Sequence, residues 1–135
     1  MRSEGTFTVA SFTPVDVAPA IAIETAVAVG VATMEKLFTG GVSGRSATVF
    51  SSAFDAASGT GTYVAVESFD GLLDDRSGTF NFVHSATTQG SSREFEHFVI
   101  VPTSGTGELA GISGSGGMAV DDDGTHRIWF DYELR

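Results

Sequence analysis

The 135-residue sequence contains no cysteine. That absence excludes a disulfide scaffold, a thiolate nucleophile and any thiolate metal site. Positive charge is also scarce: seven Lys plus Arg stand against 17 Asp plus Glu, a formal net charge of −10. A nucleic-acid partner needs a basic patch to displace counterions, and seven scattered cations do not make one. An anionic membrane surface is disfavoured for the same reason. Long apolar runs are missing too, with one partial exception. Residues 17–34, "VAPAIAIETAVAVGVATM", carry a single charge at Glu24. The run falls short of the about 20 apolar residues of a spanning helix and is interrupted by Pro19 and Gly30. The opening "MRSEGTFTV" has no basic region followed by an apolar core. The expectation is a cytoplasmic protein.

What the sequence does contain is alternation and glycine. The hydrophobic fraction is 41% and the charged fraction 18%, which suits one globular domain over residues 1–135 with a substantial core. No stretch shows a helical period. Short alternating runs recur instead: 5–12, a long run from about Ala20 to Phe38, 46–54, 61–69, 77–88, 93–101, 107–113, 116–120 and 126–134. Between them lie clusters such as "TGGVSG", "DAASGTG", "DGLLDDRSG", "TQGSS" and "DDDGT", which have the composition of hairpin turns. Eight or nine strands with short connections predict an all-β fold, a closed antiparallel β-barrel of about eight strands. A sandwich is the alternative. Closure protects strand edges, and a barrel of this size is either filled by side chains or holds one small ligand.

Alternation assigns faces. Tyr63, Ala65, Glu67 and Phe69 share one face of their run, and Phe80, Phe82, His84 and Ala86 share one face of the next. Phe95, His97, Val99 and Val101 oppose Glu94, Glu96, Phe98 and Ile100, and His126, Ile128, Phe130 and Tyr132 form a face at the end. Glu67 and His84 are ionisable groups on aromatic-bearing faces of adjacent strands. A carboxylate beside an imidazole favours the charged ring and fixes its orientation. Such a pair serves as general acid and base, or else it is a hydrogen-bonded core pair that fixes register. Both readings stand at this level.

Other chemistry is weaker. Three histidines with Glu67 make a conceivable ligand set, but no His-x-His or His-x₃-His spacing occurs, so no metal is expected. "VDDDGT" at 120–125 suits a tight turn better than a calcium loop. "SGTGELAGISGSGG" lacks the Lys-Ser/Thr of a phosphate cradle, and no G-x-S-x-G elbow is present.

The segments "GTFTVASF", "YVAVESFDGLLDDRSGTFNFVHSATT", "VPTSGTGELAGISGSGG" and "WFDYEL" together resemble a bacterial family of unknown function with an allene-oxide-cyclase-like, lipocalin-like β-barrel. The resemblance spans nearly the whole chain. It places a family Glu and His at Glu67 and His84, a turn at Arg76, Ser77 and Gly78, and a late motif from Gly105 to Gly111. Phe12 stands where the family often has Trp, Val83 where it has Gln, and Asp74-Asp75 make the turn more acidic. The resemblance implies a barrel that forms homo-oligomers and an apolar lumen of the kind that encloses unsaturated oxygenated molecules for cyclisation or isomerisation. On this reading Glu67 and His84 are the catalytic pair of a cofactor-independent cyclase or isomerase. Tyr63, Phe69, Phe80, Phe82 and His97 line the site of a small hydrophobic ligand. A non-catalytic carrier and a filled barrel with an oligomerisation role are the alternatives. An open cavity of about 300 Å³ beside Glu67 and His84 favours the first two, and a lumen packed by phenylalanines favours the last.

Overall fold

A computed structural model describes all 135 residues, Met1–Arg135. It contains eight strands: β1 Arg2–Val15, β2 Val29–Gly40, β3 Val42–Asp55, β4 Thr60–Leu73, β5 Arg76–Gln89, β6 Ser92–Ile100, β7 Ser113–Val120 and β8 His126–Glu133. Each pairs antiparallel with its neighbour in sequence, and β8 pairs back onto β1 from Arg2↔Asp131 to Phe7↔His126. The result is a closed ring of eight antiparallel strands in sequence order. Its only helical element is one 3₁₀ turn at Gly107–Leu109.

One expected strand is shortened and another is absent. The run from Ala20 to Phe38 is not continuous, because residues 16–28 form an irregular connection and β2 begins at Val29. Alternation there has almost nothing to pair with, since β1 ends at Val15 opposite Val31 and β3 continues only from Ala53 to Asp55 beyond the pairing at Val29. Residues 107–113 are not a strand either; the 3₁₀ turn and a loop occupy them. Conversely, "DGLLDD" is mostly strand. β4 runs on to Leu73, and only Asp74 and Asp75 turn the chain, with Asp74 in the left-handed region at φ 55°.

Inward residues stack in rows across the strands. Ala32, Phe50, Ala65, His84 and Phe98 form one row through successive pairings. Met34, Thr48, Glu67, Phe82 and Ile100 form the next, then Lys36, Ser46, Phe69 and Phe80, then Phe38, Gly44, Gly71 and Gly78. In the last row, a Cβ on Gly71 would collide with the Ser43 carbonyl. Glycine there lets adjacent backbones approach and the sheet bend closed.

The two ends of the ring differ. One end is packed shut by a 15-residue apolar cluster that includes Phe7, Phe38, Phe69, Phe80, Phe82, Phe98 and Phe130. The late motif plugs this end. Leu109 and Ile112 are buried, and Ser77 donates to Glu108 Oε1 through both its backbone N–H (3.2 Å) and Oγ (3.1 Å). Gly78 sits so close to Thr106 that a side chain would strike its carbonyl. The shared "SGTGELAG" and Arg-Ser-Gly stretches are thus two halves of a stopper. The other end flares, because β1 beyond Phe7 has no β8 partner and β6 joins β7 only through Val99↔Ser115 and Ile100↔Gly114.

Candidate functional site

The interior holds two polar clusters, and they do not include the expected Glu67–His84 pair. Glu67 opposes Phe82, whereas His84 opposes Ala65. The two are diagonal neighbours on one inward face, and their side chains find different partners. Glu67 is fully buried and accepts from Lys36 Nζ at 3.0 Å, Ser46 Oγ at 3.1 Å and Thr48 Oγ1 at 2.9 Å. The Lys36 ammonium also lies 5.0 Å from the Phe7 ring centroid. Burial of a carboxylate is tolerable only with such full compensation. The Phe69, Phe80 and Phe82 rings fill the interior beside it, with Phe69 and Phe80 centroids 5.1 Å apart. They are core packing, so the expected cavity beside Glu67 is filled.

The second cluster faces the flared end. His84, 2% exposed, places Nδ1 at 3.2 Å from the Tyr63 hydroxyl and Nε2 at 3.2 Å from Glu96 Oε2. Arg93 Nη1 approaches the same Glu96 oxygen at 3.5 Å and the Met118 carbonyl at 3.4 Å. The His84 ring is packed edgewise against Tyr63 (centroids 5.4 Å) and tilted against Phe98 (5.5 Å). Burial holds its pKa below the ordinary 6.5, with the hydrogen bond to Glu96 opposing. Burial likewise raises the Tyr63 phenol above its usual 10.0.

Tyr63 connects this cluster to space. Its ring stacks on Phe50 at 5.3 Å, and both residues line a cavity of about 360 Å³. Phe12, Phe50 and Phe54 supply the apolar walls. Phe12 and Phe54 remain about half exposed. A larger groove of about 620 Å³ lies on the outer face of β2–β5, spanned by the exposed Arg45–Asp70 pair at 3.3 Å. We place the candidate site at the flared mouth, because that is where an apolar cavity meets Tyr63, the half-buried partner of the buried His84.

The expected site residues therefore separate. Tyr63 and His84 are brought together. Glu67, Phe69, Phe80 and Phe82 belong to the closed half. His97 is exposed on the outer face, opposite to its expected position, and Glu96 faces inward in its place. The cause is local: β6 carries Phe98 and Ile100 on the buried side, and Phe95 adopts φ 53° beside a register shift between Ser85 and Thr87. Sequence reasoning missed Glu96, Lys36, Ser46 and Thr48. Phe98 and Ile100, two positions apart and in phase with Glu96, were the available signal for the first. His126 is half-buried with its ring 5.1 Å from Phe7, and Glu24 is exposed in the 16–28 connection. No helix is long and apolar enough to cross a membrane.

Comparison with known proteins agrees with this architecture. Residues 3–132 match the family described as a protein of unknown function, DUF3224. A crystal structure of a DUF3224 protein of unknown function from Shewanella oneidensis MR-1 superposes with a TM-score of 0.84 at 29% identity, covering 100% of this chain and 98% of that one. No curated protein matches.

Proposed function

The chain belongs to the DUF3224 family, and we propose that this member binds a small apolar molecule at its flared mouth and moves a proton on it without a cofactor. The observation that carries the reading is Tyr63, whose ring lines the cavity while its hydroxyl meets His84 Nδ1 at 3.2 Å. The arrangement follows the logic of a nucleophile or base, a histidine and a carboxylate in sequence. In one concerted step the Tyr63 oxygen takes a proton from an acidic C–H of the ligand as its own hydroxyl proton passes to His84 Nδ1, so the ring, neutral at rest, is charged only while the enolate and Glu96 face it. The ligand becomes an enolate, and the imidazolium is stabilised by Glu96 on Nε2. Reversal onto another carbon returns the proton and completes an isomerisation. The lipocalin-like or allene-oxide-cyclase-like character of the barrel belongs to this reading, with the mouth in place of the lumen.

The test is deuterium exchange into 2-tetralone, an apolar enolisable ketone, followed by NMR in D₂O. Faster exchange with the wild type, lost in Tyr63→Phe and in His84→Phe, is the expected result. Exchange at the buffer rate removes the catalytic part. Ketone binding without exchange would leave a carrier, and no binding would leave the filled barrel.

Self-association is part of the same proposal. On the outer face, Thr33, Val49, Val66, Val83 and Val99 form a row through successive strand pairings, and Val49 and Val66 are about half exposed. Ile21 and Ile23, in the 16–28 connection, are 75% and 79% exposed. A second copy is the partner this reading assigns to these surfaces.

A further inference from the structure

We infer that the mouth selects apolar ligands bearing one hydrogen-bond donor, an enol, phenol or alcohol hydroxyl, directed at the phenolic oxygen of Tyr63. The inference rests on the reading of the mouth as a binding site, and it specifies what that site discriminates.

Each proton around the His84 ring has an assignable place. Glu96 presents a carboxylate oxygen to His84 Nε2 at 3.2 Å. A carboxylate accepts and does not donate, so Nε2 carries a proton. The ring is buried and resists a second proton, which leaves Nδ1 with a lone pair. Nδ1 therefore accepts from the Tyr63 hydroxyl at 3.2 Å. That single phenolic proton is spent on the histidine, and only lone pairs of the oxygen remain for the cavity.

The surroundings do not reverse this polarity. Phe12, Phe50 and Phe54 offer no polar atoms. The Thr62 hydroxyl is engaged with Thr87 at 2.8 Å. Ser52 and Thr88 carry rotatable hydroxyls that donate or accept equally well. Tyr63 alone has its direction fixed from behind. A ligand ether oxygen facing it meets lone pair against lone pair, whereas a hydroxyl is satisfied. The lone pair that holds such a hydroxyl is also the one that takes a proton in the proposed reaction.

The polarity depends on the charge state of His84. The charged groups around the ring are Glu96 and Arg93 on β6 and Lys36 on β2, with Glu67 diagonal to it on β4. Once the ring takes a second proton, Nδ1 becomes a donor and the phenol turns its own proton toward the cavity. The preference for donor ligands then disappears.

The experiment compares 1-naphthol with 1-methoxynaphthalene, whose ether oxygen accepts but cannot donate, by fluorescence titration of the full chain at pH 7.5. Naphthol should bind about three- to tenfold more tightly, the range one neutral hydrogen bond supports. Tyr63→Phe, which keeps the ring stacked on Phe50, should erase the difference without weakening the ether. Phe54→Glu, at a half-exposed position, should weaken both probes together and so locate them at the mouth. Equal binding of both probes by the wild type, or tighter binding of the ether, overturns the donor inference while the mouth stays a binding site. Failure of both probes to bind overturns the reading beneath it.

Discussion

Replacing Lys36 by Met should destabilise the fold by about 3 kcal/mol. Lys36 and Glu67 are buried side by side, with side-chain exposures of 7% and 0% and a 3.0 Å contact. Removing one member of such a pair costs roughly 3–5 kcal/mol, because the remaining charge is stranded away from water. Ser46 and Thr48 still donate to Glu67 Oε1 in the variant, which sets the expectation at the lower bound. Met fills the space beside Phe7 with a flexible apolar chain, so packing loss adds little. Against a total stability of about 5–15 kcal/mol for a domain, the effect is large. Urea unfolding at pH 7 reads it directly as a lower midpoint. The decisive comparison is Lys36→Met combined with Glu67→Gln. The amide oxygen still accepts from Ser46 and Thr48, but no charge is buried, so roughly 2 kcal/mol or more should return. A single variant that loses less than about 1 kcal/mol, or a double variant no better than the single, would refute the account of the pair as mutual neutralisation.

Three further outcomes follow from the geometry. His84 titrates below 6.5 when folded, so the unfolded chain binds its proton first. The stability this contributes is complete above about pH 6.5 and is lost as pH falls through the folded value; denaturant midpoints from pH 8 to 5 should show that slope, reduced in His84→Phe. Glu96→Gln removes the group that raises the His84 pKa, so NMR titration should find it lower still; an upward shift would contradict the 3.2 Å contact. Ile21→Ser with Ile23→Ser should leave the unfolding free energy of an isolated chain within about 0.5 kcal/mol, and a larger loss that depends on protein concentration would mark these side chains as buried between copies.

Legibility in the sequence tracked contrast between the two faces of each strand. On β5, Phe80, Phe82 and His84 alternate with Asn81, Val83 and Ser85, and the inward set lies as the pattern predicts. The same holds for Ile128, Phe130 and Tyr132 on β8. On β6 both faces carry apolar residues, so parity alone could not choose between His97 and Glu96. Phe95 in a left-handed conformation adds a local twist that no composition rule reveals. Lys36 was invisible for the opposite reason. A lysine reads as solvent-facing, and its inward turn is intelligible only once Glu67, 31 positions later, is known to lie across from it. The 16–28 connection shows that alternation is a necessary property of a strand and not a sufficient one, since a neighbour must be present to receive its hydrogen bonds.

The short joint between β6 and β7 bears on the behaviour of this protein in concentrated solution. Residues 92–98 carry backbone donors and acceptors with no ladder partner on the β7 side, and such an edge is a template for a strand from another molecule. This edge is blunted by its own sequence. Arg93, Glu94 and Glu96 place three charges along it, and Phe95 turns the backbone out of the flat conformation a visiting strand would require. The residues that hold His84 in place thus also guard the fold against aggregation. Exchanging Glu94 for a β-branched residue should leave the melting temperature nearly unchanged while promoting fibril-like association, a liability visible by light scattering and not by any measurement of stability.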